Sequence, residues 1–308
     1  MNHVVAALGP VFLLILLGAM LRRMDFPAGS FWPQAERLTY YVLFPAMLVY
    51  KLAVAEVGST PLVPLFASIV FMLLAGSGLL LMLQRHLANS HPAFTSVFQG
   101  GIRFNTYIGL ACAQALYGDA GLVAAAVTVA IMIPLVNVLC VGMFHLVLHR
   151  GNLGAGELAR ALLGNPLILG CLLGILLNRT GIGLPGWSEA AFSLLGAAAL
   201  PLGLLAVGVA LNIGALKGMR RELLTSTLAR FLLMPLLLLF ALQWVELPPL
   251  NAQILLLFAV LPTASSAYIL ARQLGGDTVL MANITTLQTL AGFVFTTAWV
   301  LVGQSTWM

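Results

Sequence analysis

The stretch Pro92 to Gly109, PAFTSVFQGGIRFNTYIG, runs on through further apolar residues to Tyr117, and its reading decides the fold of this chain. It is long and apolar enough to cross a bilayer core of about 30 Å as a helix, yet it carries Arg103 and Asn105 near its middle. Counted from Pro92 at about 1.5 Å per residue, these two lie roughly 16–20 Å along, close to the bilayer centre. A lone arginine at that depth costs at least about 2.5–3.5 kcal/mol on insertion scales, so it faces a cavity or a partner, or snorkels to an interface. The segment therefore reads as a membrane helix whose polar centre has a purpose.

The rest of the chain is built the same way. Of its 308 residues 61% are hydrophobic and only 7% charged, against about 25% charged in a soluble domain. Apolar blocks predict ten membrane helices near residues 4–21, 37–54, 62–84, 93–117, 121–148, 160–178, 189–212, 223–245, 250–272 and 278–302. No joint between them is long enough for a catalytic or nucleotide-binding domain, and no phosphate-binding loop is present, which argues against ATP-driven pumping by this chain alone. The first block is followed, not preceded, by basic residues (Arg22, Arg23), so it reads as a retained helix and not a cleaved signal. Cys112, Cys140 and Cys171 fall inside predicted helices at spacings that suit packing, not zinc or disulfides. No cofactor or metal is expected.

The net charge of +5 follows topology. With the amino terminus outside, the inward joints carry Arg22, Arg23, Arg37, Arg85, Arg150, Arg160, Lys217, Arg220, Arg221 and Arg272, and the outward joints only Lys51 and Arg179. That is a strong positive-inside bias with both termini outside, and it leaves no basic patch for nucleic acid. All nine acidic residues read as lying in joints or near helix ends. A carboxylate at the membrane centre to carry a coupling ion is therefore not expected.

A shift of 156 residues carries Pro10 onto Pro166, Pro45 onto Pro201 and Pro92 onto Pro248, and also pairs Gly18 with Gly174 and Arg23 with Arg179. Two residues later in register, Gly118-Asp119 matches Gly276-Asp277. The chain thus divides into repeats at 1–150 and 151–308. Five helices per repeat, an odd number, force the second repeat into the membrane upside down. Inverted repeats build secondary transporters, with substrate held near the midplane on interrupted helices.

The paired candidates for interruption are helices four and nine. In the first, Arg103, Asn105, Thr106, Tyr107 and Gly109 mark the centre. In the second, Pro262 removes a helical hydrogen bond and Thr263, Ser265 and Ser266 follow it. Arg103 either supplies positive potential for an anion or pairs structurally. Asn105 both donates and accepts, and suits a carboxylate or an interhelical bond. Asn137 in helix five and Asn283 in helix ten line or brace the same region. His145 reads as interfacial, and Arg230 is a second buried cation with no role legible in the sequence.

At these residues the chain resembles the auxin efflux carrier family, through Leu43-Phe44-Pro45-Ala46, Arg103 to Gly109, Asn165-Pro166, Leu261-Pro262-Thr263-Ala264 and Asn283. The resemblance implies an all-α membrane protein of ten helices in two inverted five-helix repeats. Scaffold helices one, two, six and seven would mediate a homodimer, and a mobile unit of helices three to five and eight to ten would cross at four and nine. It further implies elevator-type alternating access and a small organic anion as substrate: a mono- or dicarboxylate, auxin-like or malate- or malonate-like. The setting it implies is a bacterial inner membrane, with both termini periplasmic. Plant members carry a proline at the helix-four crossing, whereas this chain has none between Pro92 and Pro134, so the break there rests on Asn105, Thr106 and Gly109. Rival readings are a sodium-coupled carrier of the bile-acid symporter type and a membrane sensor that binds without moving solute. An intramembrane enzyme fits least, because no Ser/His or paired-Asp constellation appears at helical spacing.

Overall fold

A computed structural model describes residues 2–55, 61–148, 164–212 and 221–307, with Gly156 and Gly214. The described chain is helical, without strands. Its elements are α1 (Asn2–Arg23), α2 (Phe31–Leu38), α3 (Phe44–Ala53), α4 (Leu62–Met82), α5 (Gln84–Leu87), α6 (His91–Ile102), α7 (Thr106–Val147), α8 (Pro166–Arg179), α9 (Trp187–Ala210), α10 (Arg221–Leu228), α11 (Met234–Ala241), α12 (Pro249–Ala259), α13 (Ser266–Leu274) and α14 (Thr278–Trp307). Arg150, Arg160, Lys217 and Arg220, used above for orientation, lie outside the described residues.

Six segments of the described residues are long and apolar enough to cross a membrane, and α8 and α12 are shorter apolar helices. The longest of the six, His91–Val147, has 57 residues. At about 1.5 Å per residue that exceeds any single crossing. It is divided twice: the backbone leaves the helix at Arg103–Asn105, and Gly118 (φ +62°, ψ −152°) turns α7 into two limbs, a geometry that glycine adopts without penalty. The predicted break in helix nine also forms, between α12 and α13.

Two prolines set wide turns inside helices. Pro45 and Pro235 offer no N–H to the preceding turn, and each follows a five-residue π-helical turn, Thr39–Leu43 and Ala229–Leu233. Helix two also starts earlier than the sequence reading, at Phe31, so Glu36 lies more than a turn inside it and not in a joint.

Packing between helices depends on close backbone approach. α1 lies along α9, and α3 along α8. A Cβ on Gly18 would overlap the Leu205 carbonyl, and one on Gly208 the Ile15 carbonyl. On the other pair, Gly170 sits 3.0 Å from the Pro45 backbone, and Gly174 3.0 Å from the Val49 oxygen, measured from the position a Cβ would take. Small residues let helices in an apolar solvent gain van der Waals contact that burial alone does not supply. At one end of the bundle Ser96 Oγ donates to the Asp277 carbonyl and the Asp277 N–H donates to the Pro92 carbonyl, tying α6 to the start of α14. At the other end Lys51 and Asp119 form an ion pair of 2.7 Å.

Candidate functional site

The two interruptions lie side by side. The Asn105 N–H donates to the Pro262 carbonyl (2.8 Å), and the Thr263 N–H donates to Gln288 Oε1 on α14 (3.0 Å). Gly109, one turn into α7, rests against Leu261 and Phe258, where a Cβ would come within 2.6–2.8 Å of their side chains. It is the contact that lets α7 cross α12.

Asn105 also starts α7. Its Oδ1 accepts from the N–H groups of Tyr107 (3.0 Å) and Ile108 (3.2 Å), so the asparagine that breaks the helix caps the next one. Asn165 repeats this for α8, accepting from Leu167 (3.0 Å) and Ile168 (3.4 Å). The same residue type caps both helices because asparagine satisfies the amides that a helix start leaves free.

A cavity of two lobes, about 470 and 590 Å³, opens beside the crossing, and both lobes share Tyr40, Tyr41, Thr106, Leu167, Ala264, Ser266 and Ile269. The smaller lobe adds Arg103, Asn137, Asn165 and Gln273, the larger Glu36, Arg37, Asn105, Tyr107 and Ser265. Arg103 Nη2 donates to Asn137 Oδ1 (3.2 Å) and Ser266 Oγ (3.4 Å), while Nη1 has no oxygen partner. Three helix N-termini, those of α7, α8 and α13, meet this space through Thr106, Asn165 and Ser266. Each N-terminus carries a positive partial charge, with the second and third amides of α7 and α8 already capped by Asn105 and Asn165. Arg103 adds a full charge, with no carboxylate pairing it among the described residues. The smaller lobe is therefore a region of positive potential.

The larger lobe is more mixed. Glu36 Oε1 accepts from Ser265 Oγ at 3.5 Å, and Tyr107 is stacked on Phe44 (ring centroids 4.4 Å, interplanar angle 6°). Apolar and aromatic surface thus surrounds one acid and the neighbouring Arg37.

Of the residues singled out in the sequence, Arg103, Asn105, Thr106, Tyr107, Asn137, Ser265 and Ser266 line this cavity. Gly109, Pro262, Thr263 and Asn283 do not. Gly109 packs, Pro262 supplies a carbonyl to Asn105, and Thr263 and Asn283 are buried. Asn137 both lines the smaller lobe and accepts from Arg103 through its Oδ1. The sequence reading missed Glu36, Arg37, Tyr40 and Tyr41. Their signal was present: Glu36 and Tyr40 are four apart, hence on one helix face, but the assumed start of helix two at residue 37 hid it.

Long apolar helices, two of them broken where they touch beside a cation-bearing cavity, define a multi-pass membrane protein. Residues 153–300, just under half of the chain, match the model of the membrane transport protein family, the domain of the auxin efflux carriers. No curated protein matches it.

Proposed function

We propose that this protein is a secondary transporter for a small organic anion, held at the crossing of its two broken helices. The observation that carries the reading is the convergence of Arg103 with the N-termini of α7, α8 and α13 on one cavity. Half-helix N-termini aimed at an anionic group are how carriers of inverted-repeat architecture hold a carboxylate near the midplane. The Arg103 guanidinium takes the charge, the Ser266 hydroxyl orients it, and the aromatic wall of Tyr40, Tyr41 and Tyr107 receives the apolar remainder.

The wider architecture belongs to the same proposal: ten helices in two inverted five-helix repeats. Support comes from contacts that recur under the shift of 156 residues: Gly18 packs on Leu205, and Gly174 packs on Val49, the positions 156 residues on and 156 residues back. In this arrangement helices one, two, six and seven form a scaffold and dimer face. Helices three to five and eight to ten carry the substrate in an elevator-type movement, in a bacterial inner membrane with both termini outside.

The test is uptake of radiolabelled malonate, malate, indole-3-acetate and a neutral amino acid into proteoliposomes, with wild type beside Asn105→Ala. Saturable uptake of an acid, lost in the folded variant, is expected. Uptake of the neutral amino acid alone would overturn the anion reading, and saturable binding without flux would turn the protein into a sensor.

A further inference from the structure

Arg230 has no part in the cavity. It is fully buried (0% exposed), in the π-helical turn Ala229–Leu233 between α10 and α11. No carboxylate pairs with it among the described residues. Its partners are backbone carbonyls. Nε donates to Leu261, Nη2 to Phe258, and Nη1 is shared between Gly101 and Ile102, each at 3.4 Å.

These four oxygens are not a random set. Gly101 and Ile102 end α6, Phe258 lies at the end of α12, and Leu261 is in the break that follows. The final carbonyls of a helix have no amide partner within it and form the negative end of its dipole. Here two helices end in the protein interior, facing one another, at the crossing. A single guanidinium satisfies both ends. In carriers with broken helices, such unwound carbonyls and half-helix C-termini coordinate a soluble monovalent cation.

The local sequence explains how the side chain reaches them. Pro235 cannot donate to the turn before it, and the turn widens. The Phe231 carbonyl instead accepts from Trp299 Nε1 (2.8 Å), so the widened turn is satisfied and Arg230 points inward.

We infer that Arg230 is the resident cation of the crossing. It occupies the carbonyl cage formed by α6 and α12 in place of a soluble sodium or potassium ion, so the fold needs none there. The inference rests on the crossing and not on the substrate.

The experiment measures the melting temperature of the purified carrier in sodium, potassium and choline chloride at equal ionic strength, for wild type, Arg230→Ala and the volume-preserving Arg230→Met. Wild type is expected to melt at one temperature in all three salts. The variants are expected to melt lower in choline and to recover part of the loss in sodium chloride or in millimolar guanidinium, which refill the cage. Selective stabilisation of wild type by sodium over choline would overturn the inference. So would variants that melt like wild type in choline, or that neither sodium nor guanidinium restores. If neither variant folds, the wild-type comparison decides by itself. Because the readout is stability, failure here is separate from failure to find a transported acid.

Discussion

The backbone amide of Asn105 hydrogen-bonds to the carbonyl of Pro262 across 2.8 Å, joining the centre of one broken helix to the centre of the other. The bond uses an amide that α6 no longer employs and a carbonyl that α12 no longer employs. Each interruption is thereby the solution to the other's unsatisfied backbone, which matters most where no water reaches.

Asn105 is expected to contribute through its cap as well as through any ligand. Asn105→Ala removes the acceptor for two amides, and loss of such a cap costs about 1 kcal/mol. Asn105→Asp and Asn105→Ser keep an acceptor and should melt closer to wild type. A thermal-denaturation series that ranks alanine with aspartate would show that the cap is not the stabilising element.

Arg103 should govern affinity. Arg103→Gln leaves Asn137 and Ser266 in place but removes the charge, and hydrogen bonds to a charged group are worth about 1.5–3 kcal/mol. We expect KM for the transported acid to rise at least about tenfold, which corresponds to about 1.4 kcal/mol. An unchanged KM with lowered kcat would assign Arg103 to the movement instead of to binding.

Glu36 should set the number of charges that the substrate carries. Its carboxylate borders the lobe adjoining the Arg103 lobe and would repel a second substrate carboxylate. Glu36→Gln is expected to improve uptake of malate relative to a monocarboxylate in side-by-side assays. A fall in both rates together would instead indicate that Glu36 is needed for the transport cycle.

Lys51 and Asp119 close the end of the bundle remote from the end tied by Pro92 and Asp277. The hydrogen bond from Lys51, with help from Gln114, holds the Asp119 carboxyl below the ordinary carboxylate range. A depressed pKa means the contribution is present above the ordinary value and lost only as pH falls through the lowered one. The latch therefore stays formed through neutral and mildly acidic pH. Asp119→Asn should raise thiol labelling of a cysteine at Gln114 by no more than several-fold, since exposed ion pairs are worth about 0.2–1 kcal/mol. Labelling of the wild-type background that climbs steadily under mild acid would contradict this sign.

How much was legible in the sequence differs from part to part. The membrane class and both interruptions followed from apolar length, from Arg103 with Asn105, and from Pro262, because polar or proline residues at mid-span have few uses. Helix starts were less legible. α2 begins at Phe31 within a stretch that includes Gln34, Glu36 and Arg37, so hydropathy placed its start too late and left Glu36 in a joint. Arg230 was visible as a buried cation, but its partners are main-chain oxygens with no sequence signature. Thr263 and Asn283 have the residue types of a ligand site, and only the three-dimensional course of α13 and α14 directs them away from the cavity.

The central claim is that the cavity beside the crossing holds the transported anion. Its most direct test is substrate protection of Ser266→Cys in proteoliposomes, with Cys112, Cys140 and Cys171 buried and therefore quiet. The account predicts that a soluble maleimide labels this cysteine, and that the transported acid slows labelling with a half-maximal concentration equal to its KM for uptake. Labelling that is indifferent to an acid that the same liposomes accumulate would place the substrate elsewhere.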